Sequence, residues 1–379
     1  MKIAIITETF LPSTDGVVTR LTKAIKHLRS NDHEVIVIAP DLGVTEFEGA
    51  IIEGVKATNL PFYRYRPFAL PNKKVKGILE KHQPDLVHVV NPALLGVSGV
   101  KYAKQLQFPL VASYHTHVPK YLDYYNLYPL KPLLWWHFKR LHNQADYNLC
   151  TSQAVKDELD KHGFYNVNVW QRGVAIENYH PTYYNEDMRN RLSGGEPHKK
   201  LLVFVGRLAP EKEIHKLKPL LEQRDDVRLA IVGDGPVREQ LESKFEGTNT
   251  IFTGFLHGEE LAQAFSSADA FIFPSITETL GLVILEAMAS GLPVIAAKSG
   301  PTMEQVDDER TGLLFENEDT SSLIEAVRKL EDSDLHQHMR DEARAEAEKF
   351  SWTRPSQQLQ EVYEEILGIP SQREQKQAQ

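Results

Sequence analysis

Short apolar runs of strand length recur along this chain, separated by amphipathic stretches of helix length. KIAIITETF, EVIVIAP, DLVHVV, PLVASYH and YNLCTS form one series; LLVFVGRL, VRLAIVGDGP, TIFTGFL, AFIFPS and LPVIAAK form a second. Runs that are apolar on both faces suit strands covered by helices on each side. The expected fold class is therefore α/β, with two doubly wound, Rossmann-like domains of parallel strands facing each other across a cleft. A chain of 379 residues is long enough for each domain to bury its own core. Periodicity weakens from Val167 to Lys200, which places the interdomain link there. The expected domains span 1–175 and 176–350. Beyond them, 351–379 supplies a helix returning to the first domain and then a disordered tail.

Charge is uneven. The net charge is −9, but residues 1–195 carry +5 and residues 196–379 carry −14. A basic first half suggests an anionic partner on that side, such as a lipid headgroup surface. Two stretches there interleave Lys and Arg with aromatics: FYRYRPFALPNKKVKG (62–77) and KYLDYYNLYPLKPLLWWHFKR (120–140). Such stretches suit a membrane interface or an apolar acceptor groove, although Trp135 and Trp136 are also candidates for the core. The acidic whole, with no basic stripe, argues against nucleic acid. No apolar run is long enough to span a bilayer. MKIAIITETF begins as a strand carrying Glu8, so it does not read as a signal peptide. The single cysteine, Cys150, reads as a buried free thiol. These features place the expected protein in the cytoplasm, peripheral to the membrane.

The most chemical stretch is FIFPSITETLGLVILEAMASG, residues 271–291. It reads as a buried strand, a polar turn and a helix running from about Gly281 to Gly291, with Pro293 beyond. Glu278 lies in the turn and Glu286 on the helix among apolar neighbours. The amides of Thr279, Leu280 and Gly281 lie at the helix N-terminus, where an anion is favoured. Two carboxylates flanking an anion-binding turn match a molecule with phosphates in its middle and hydroxyls at both ends. A nucleotide sugar has that layout. In isolation the E-x7-E spacing would mean nothing more than two ordinary surface acids.

Other residues join this set. Arg207 and Lys212, in VGRLAPEKEI after the first strand of the second half, offer a planar fork and a mobile point charge for a diphosphate. A surface pair bonded to Glu211 or Glu213 is the plainer alternative. Gly16, between the first strand and its helix, would let a phosphate approach the helix N-terminus; otherwise it is a turn capped by Asp15. His115 ends a strand and is placed to bond a sugar hydroxyl, whereas His117 reads as structural. No carboxylate or third ligand completes a metal site with this pair. Asp332 and Asp334 read as an exposed turn rather than a metal site.

Taken in order, Gly16, SYHTH (113–117), GRLAPEK (206–212), GDGP (233–236) and Glu278-x7-Glu286 resemble the family 4 retaining glycosyltransferases, which have the GT-B fold. The resemblance implies that Gly206, Arg207 and Lys212 hold the donor diphosphate and that Glu286 binds the ribose. Glu278 and the backbone of Thr279, Leu280 and Gly281 would hold the sugar. By the same resemblance Gly16 faces the phosphates, His115 meets the sugar near its reacting carbon, and the backbone around Leu256 meets the base. Asp15 stands where many members have a second glycine. TETFLPSTDGVVTRL, HVVNPALLG, SYHTHVPKYL, NLCTS and VWQRGV further resemble sulfolipid synthases, which move sulfoquinovose from a uridine-diphosphate donor to diacylglycerol. The implied partners are a UDP-sugar, a diacylglycerol or other lipid acceptor, and an anionic membrane. No cofactor or metal is implied. A glucosyl- or mannosyltransferase acting on another lipid or a soluble sugar is the alternative, followed by a non-catalytic nucleotide-sugar binder.

Overall fold

The computed structural model describes residues 1–60 and 63–370, the side chains of 60 and 63–66 apart. The described chain divides into two compact units. The first holds residues 1–123, 127–172 and the C-terminal segment from Trp352; the second holds 124–126 and 173–351. Of the expected disordered tail, which follows Gly368, residues 371–379 lie outside the described residues.

In the first unit β1 (Lys2–Thr7), β2 (Glu34–Pro40), β3 (Glu46–Phe47), β4 (Ala50–Val55), β5 (Ala57–Leu60), β6 (Tyr63–Ala69), β7 (Leu86–Val90), β8 (Leu110–Tyr114), β9 (Tyr147–Cys150) and β10 (Val167–Val169) follow in chain order. Eight of them form one sheet, ordered β10-β9-β8-β7-β1-β2-β4-β3, while β5 and β6 pair separately. The pairs in that sheet are parallel except β3 with β4. In the second unit β11 (Lys200–Val205), β12 (Val227–Val232), β13 (Thr250–Gly254), β14 (Ala270–Phe273), β15 (Val294–Ala297) and β16 (Gly312–Phe315) form an all-parallel sheet. Its order is β13-β12-β11-β14-β15-β16.

Strand parity builds the cores. On β1, Ile3 and Ile5 enter one apolar cluster and Ala4 and Ile6 another on the opposite face. On β11, Leu201 and Val203 face one cluster while Leu202 and Phe204 face the other. Each fully buried Ile or Phe contributes roughly 2 kcal/mol, which is why strands with no polar face are stable only when helices cover both sides. The helix Gly16–Ser30 covers β1 with Val18, Leu21, Ala24, Ile25 and Leu28, and packs beside the C-terminal helix Thr353–Leu367. Cys150 is buried and unpaired, as expected.

The stretch read as a featureless link, Val167–Lys200, contains β10 and a helix at Glu186–Leu192. A three-residue strand shows no period, and seven helical residues barely complete two turns. The chain passes from one unit to the other near Arg172, within that stretch, and again near Ser351.

Both sheets reverse direction at their first strand. β1 lies between β2 and β7, and β11 between β12 and β14. In open α/β sheets ligands bind beyond the strand C-termini at such a reversal, because the neighbouring connections leave to opposite faces there.

Candidate active site

At the reversal in the second unit the loops after β11, β12 and β14 are tied together. The Gly206 N–H donates to the Val232 carbonyl at 3.0 Å, Leu208 N–H to Asp234 at 2.9 Å, and Gly233 N–H to Gly254 at 2.8 Å. The backbones approach so closely that a Cβ on Gly233 would lie 1.9 Å from the Gly206 carbonyl oxygen. Only glycine fits there. The loop after β11 then makes a short turn, Pro210–Lys212, that buries Glu211 completely. The Glu211 carbonyl accepts from Ser275 Oγ at 3.2 Å and Thr277 Oγ1 at 3.1 Å, joining this turn to the loop after β14.

The charged side chains meet at that join. Arg207 pairs with Glu211, whose other carboxylate oxygen accepts from the Tyr125 hydroxyl at 3.2 Å. Lys212 pairs with Glu278, and both side chains keep 15% of their surface exposed. The plainer alternative for Arg207 thus holds in part, since Glu211 is its partner, but Glu211 lies in the interior rather than on the surface. The turn ends at Gly281, in the left-handed region with φ 72°, where the helix Leu282–Ala289 begins without a side-chain cap. Thr279 and Leu280 are buried just before it. Along this helix Ile284, Leu285, Ala287, Met288 and Ala289 are buried. Glu286 is half-buried; burial pushes its carboxyl up to about 7, partly offset by a hydrogen bond from Tyr179. Leu256 is buried in the loop after β13.

Gly16 and His115 belong to the first unit. Gly16 opens its helix, and the Asp15 carboxylate takes the Val17 and Val18 amides, each at 3.0 Å. At the reversal in this sheet the arrangement is different. The Glu8 carboxylate accepts from the backbone N–H of Ala93, Leu94, Leu95 and Gly96 at 2.8–3.0 Å, at the start of the helix Leu95–Gln105. His115 follows β8, and the Asn91 side-chain oxygen Oδ1 accepts from the His115 and Thr116 amides at 3.2 and 3.1 Å. Burial holds the His115 imidazole neutral, well below its usual range. His117 is structural, bonded to Glu158 at 2.9 Å.

Of the two aromatic-basic stretches, part of 62–77 lies outside the described side chains. In 120–140, Trp135 is partly buried and stacks on His162, with ring centroids 3.7 Å apart. Trp136 is 54% exposed, and Leu127, Tyr128, Leu130 and Leu133 are exposed as well. Asp332 caps the helix Ser333–Ala347. Among the described residues no helix is long and apolar enough to cross a membrane. Sequence reasoning passed over Ser275, Thr277 and Tyr179 in the second unit. The hydroxyl-rich SITET turn was the available signal for the first two; Tyr179 had none.

Two doubly wound units with a cluster of Arg, Lys and Glu at the switch point of the second are in keeping with a GT-B glycosyltransferase. The comparisons give the narrower placement: residues 14–178 match the family model Glycosyltransferase Family 4, and residues 188–349 match Glycosyl transferases group 1. The chain belongs to this family of enzymes. It is 38% identical over 346 residues to sulfoquinovosyl transferase SQD2 of Arabidopsis thaliana, covering 89% of this chain and 68% of that one. It is 38% identical over 322 residues to a GDP-mannose-dependent alpha-mannosyltransferase of Mycobacterium tuberculosis, covering 83% and 84%. In three dimensions it is similar to Anabaena HepE, crystallised with UDP and glucose, with a TM-score of 0.78 and 23% identity over 96% of this chain and all of that one.

Proposed function

We propose that this enzyme transfers sulfoquinovose from a UDP-linked donor to diacylglycerol with retention, making a membrane sulfolipid at an anionic membrane surface. The reaction class rests on one observation, the meeting of Arg207, Lys212, Glu278 and the uncapped helix start at Gly281 beside the β11–β14 reversal. The choice of sugar rests on the similarity to the Arabidopsis enzyme.

In this reading the donor diphosphate exchanges with carboxylates already in place. Lys212 turns from Glu278 to a phosphate oxygen, which leaves Glu278 to accept from sugar hydroxyls; Arg207 provides the second cation. These cations and the amides around Thr279–Gly281 stabilise the charge that grows on the departing diphosphate. Glu286 accepts from the ribose hydroxyls, the backbone near Gly206 and Leu256 meets the phosphates and base, and Gly16 and His115 are the first unit's contacts to the donor. The leaving phosphate takes the acceptor proton, so the chain needs no base of its own. The reading assigns no cofactor.

The test is a donor screen of the purified protein with diacylglycerol in vesicles, with products weighed by mass spectrometry. Transfer from UDP-sulfoquinovose and none from UDP-glucose or GDP-mannose is the expected result. Mannosyl transfer alone would support the second reading, which the mycobacterial relative favours, and would overturn the first.

A further inference from the structure

In the second unit the loop after β15 reaches across to the loop after β14. These strands are parallel neighbours, with Phe271 beside Val294 and Phe273 beside Ala296, so both loops leave the same edge of the sheet. After β15 the chain makes a single helical turn, Gly300–Met303, held at its start by reciprocal bonds between Ser299 and Thr302. Thr302 Oγ1 also donates to the Ala297 carbonyl at 2.7 Å. Gln305 follows this turn. Its own backbone amide donates to the Thr302 carbonyl at 3.1 Å, and the residue is 5% exposed. The side chain is thus fixed at its root. Its Nε2 donates to the Leu280 carbonyl and, at 3.2 Å, to the Pro301 carbonyl.

Those two partners set the orientation of the side-chain amide, because a carbonyl oxygen only accepts and Oε1 could not replace Nε2 there. Oε1 is left buried and without a partner among the described residues. An unmet buried acceptor is rare enough to need a reason. The reason lies at Leu280. The peptide between Leu280 and Gly281 is trans, so its C=O and N–H point in opposite directions. Holding the Leu280 carbonyl against buried Gln305 turns the Gly281 N–H to the other side, where it has no acceptor among the described residues. Gly281 lies at φ 72° and ψ 65°. Glycine takes positive and negative φ with nearly equal ease, so this peptide is free to flip unless its carbonyl is held. The helix Leu282–Ala289 does not hold it, since the bond from the Ile284 amide goes to the Gly281 carbonyl, one peptide further on.

We infer that Gln305 is a positioning residue, which fixes the Leu280–Gly281 peptide so that the Gly281 N–H is presented to a phosphate oxygen of the donor. The phosphate rests on the function proposed above; the orientation of the peptide and its dependence on Gln305 do not. A glutamate at 305 would set a carboxylate against two carbonyl oxygens. An apolar residue of the same length would leave the peptide free to turn.

The test is NMR of the full-length, deuterated protein labelled with 13C-carbonyl leucine and 15N-glycine. The chain has four Leu–Gly pairs, at 42–43, 95–96, 280–281 and 367–368, so four amides are selected. The signal that disappears in Leu280→Met is Gly281. Adding UDP to the parent protein should move the Gly281 amide proton downfield, further than any of the other three. No such movement overturns the inference, and that arm needs no variant. In Gln305→Met and Gln305→Glu, each checked for folding by circular dichroism, saturating UDP should no longer produce the movement. In both, kcat should fall about tenfold, less than the 10²–10³-fold for deleting a donor outright, while KM for the acceptor stays put. A movement and a kcat retained in either folded variant, with only its stability lowered, would make Gln305 a packing residue and overturn the assignment. If UDP moves Gly281 and the variants abolish it, but no sugar is transferred, the proposed function fails and this inference stands.

Discussion

The two units wind their sheets in the same order around the reversal, yet they treat the helix that starts beside it in opposite ways. In the first, the Glu8 carboxylate fills the start of the helix Leu95–Gln105 and takes four backbone amides. In the second, the helix Leu282–Ala289 begins at Gly281 with no side chain capping it, and Arg207 and Lys212 stand nearby on the loop after β11. A helix N-terminus favours an anion in either case. One unit satisfies that preference from its own sequence, and in the other no side chain caps the helix start. Under the function proposed above, the same architecture is a braced scaffold in one half and a phosphate site in the other.

The sharpest way to break this comparison is Lys212→Ala. Loss of a cation facing developing phosphate charge should lower turnover about 10²–10³-fold, with an unfolding curve close to the parent's. Turnover near the parent level would remove the second unit's claim to the diphosphate. The matching change in the first unit, Glu8→Ala, should act on stability instead. Four backbone amides, two of them buried, lose their acceptor together, which should cost about 3 kcal/mol in urea unfolding. If stability is unmoved and UDP binding falls, Glu8 is part of a ligand site and the contrast between the units is false.

The smallest expected effect concerns Glu286. Burial raises its carboxyl from 4.5 to about 7. The folded state therefore binds its proton more tightly than the unfolded state, and stability from this group declines as pH rises from 4.5 to 7. Ligand binding runs the other way: the ionised carboxylate is the better acceptor for ribose hydroxyls, so UDP affinity should rise as pH passes through 7. Calorimetric titration from pH 6 to 8 should show a severalfold gain that Glu286→Gln abolishes. A gain that persists in the variant assigns the pH dependence to another group.

Much of the second unit was legible because its chemistry is local. Arg207 and Lys212 lie within a few residues of a strand end, and the strand, turn and helix that carry Glu278 and Glu286 are contiguous. The first unit was less legible. Glu8 drew notice only as a charge near the N-terminus, because its amide partners lie 85–88 residues further on. The bond between the Tyr363 hydroxyl and His88 was invisible for the same reason, with the two residues 275 apart in the chain. The short β10 also escaped, since three residues have no measurable period.

What the sequence determined by itself was the succession of strands and helices in two series and the residue types gathered at the strand ends, because burial period and helix-stop chemistry are properties of neighbouring residues. Only the tertiary structure decided which helix start Glu8 would close and which acid each cation would take. Those outcomes depend on groups far apart in the chain being brought within 3 Å in surroundings that exclude water, where an unmet hydrogen bond costs too much to leave unmade.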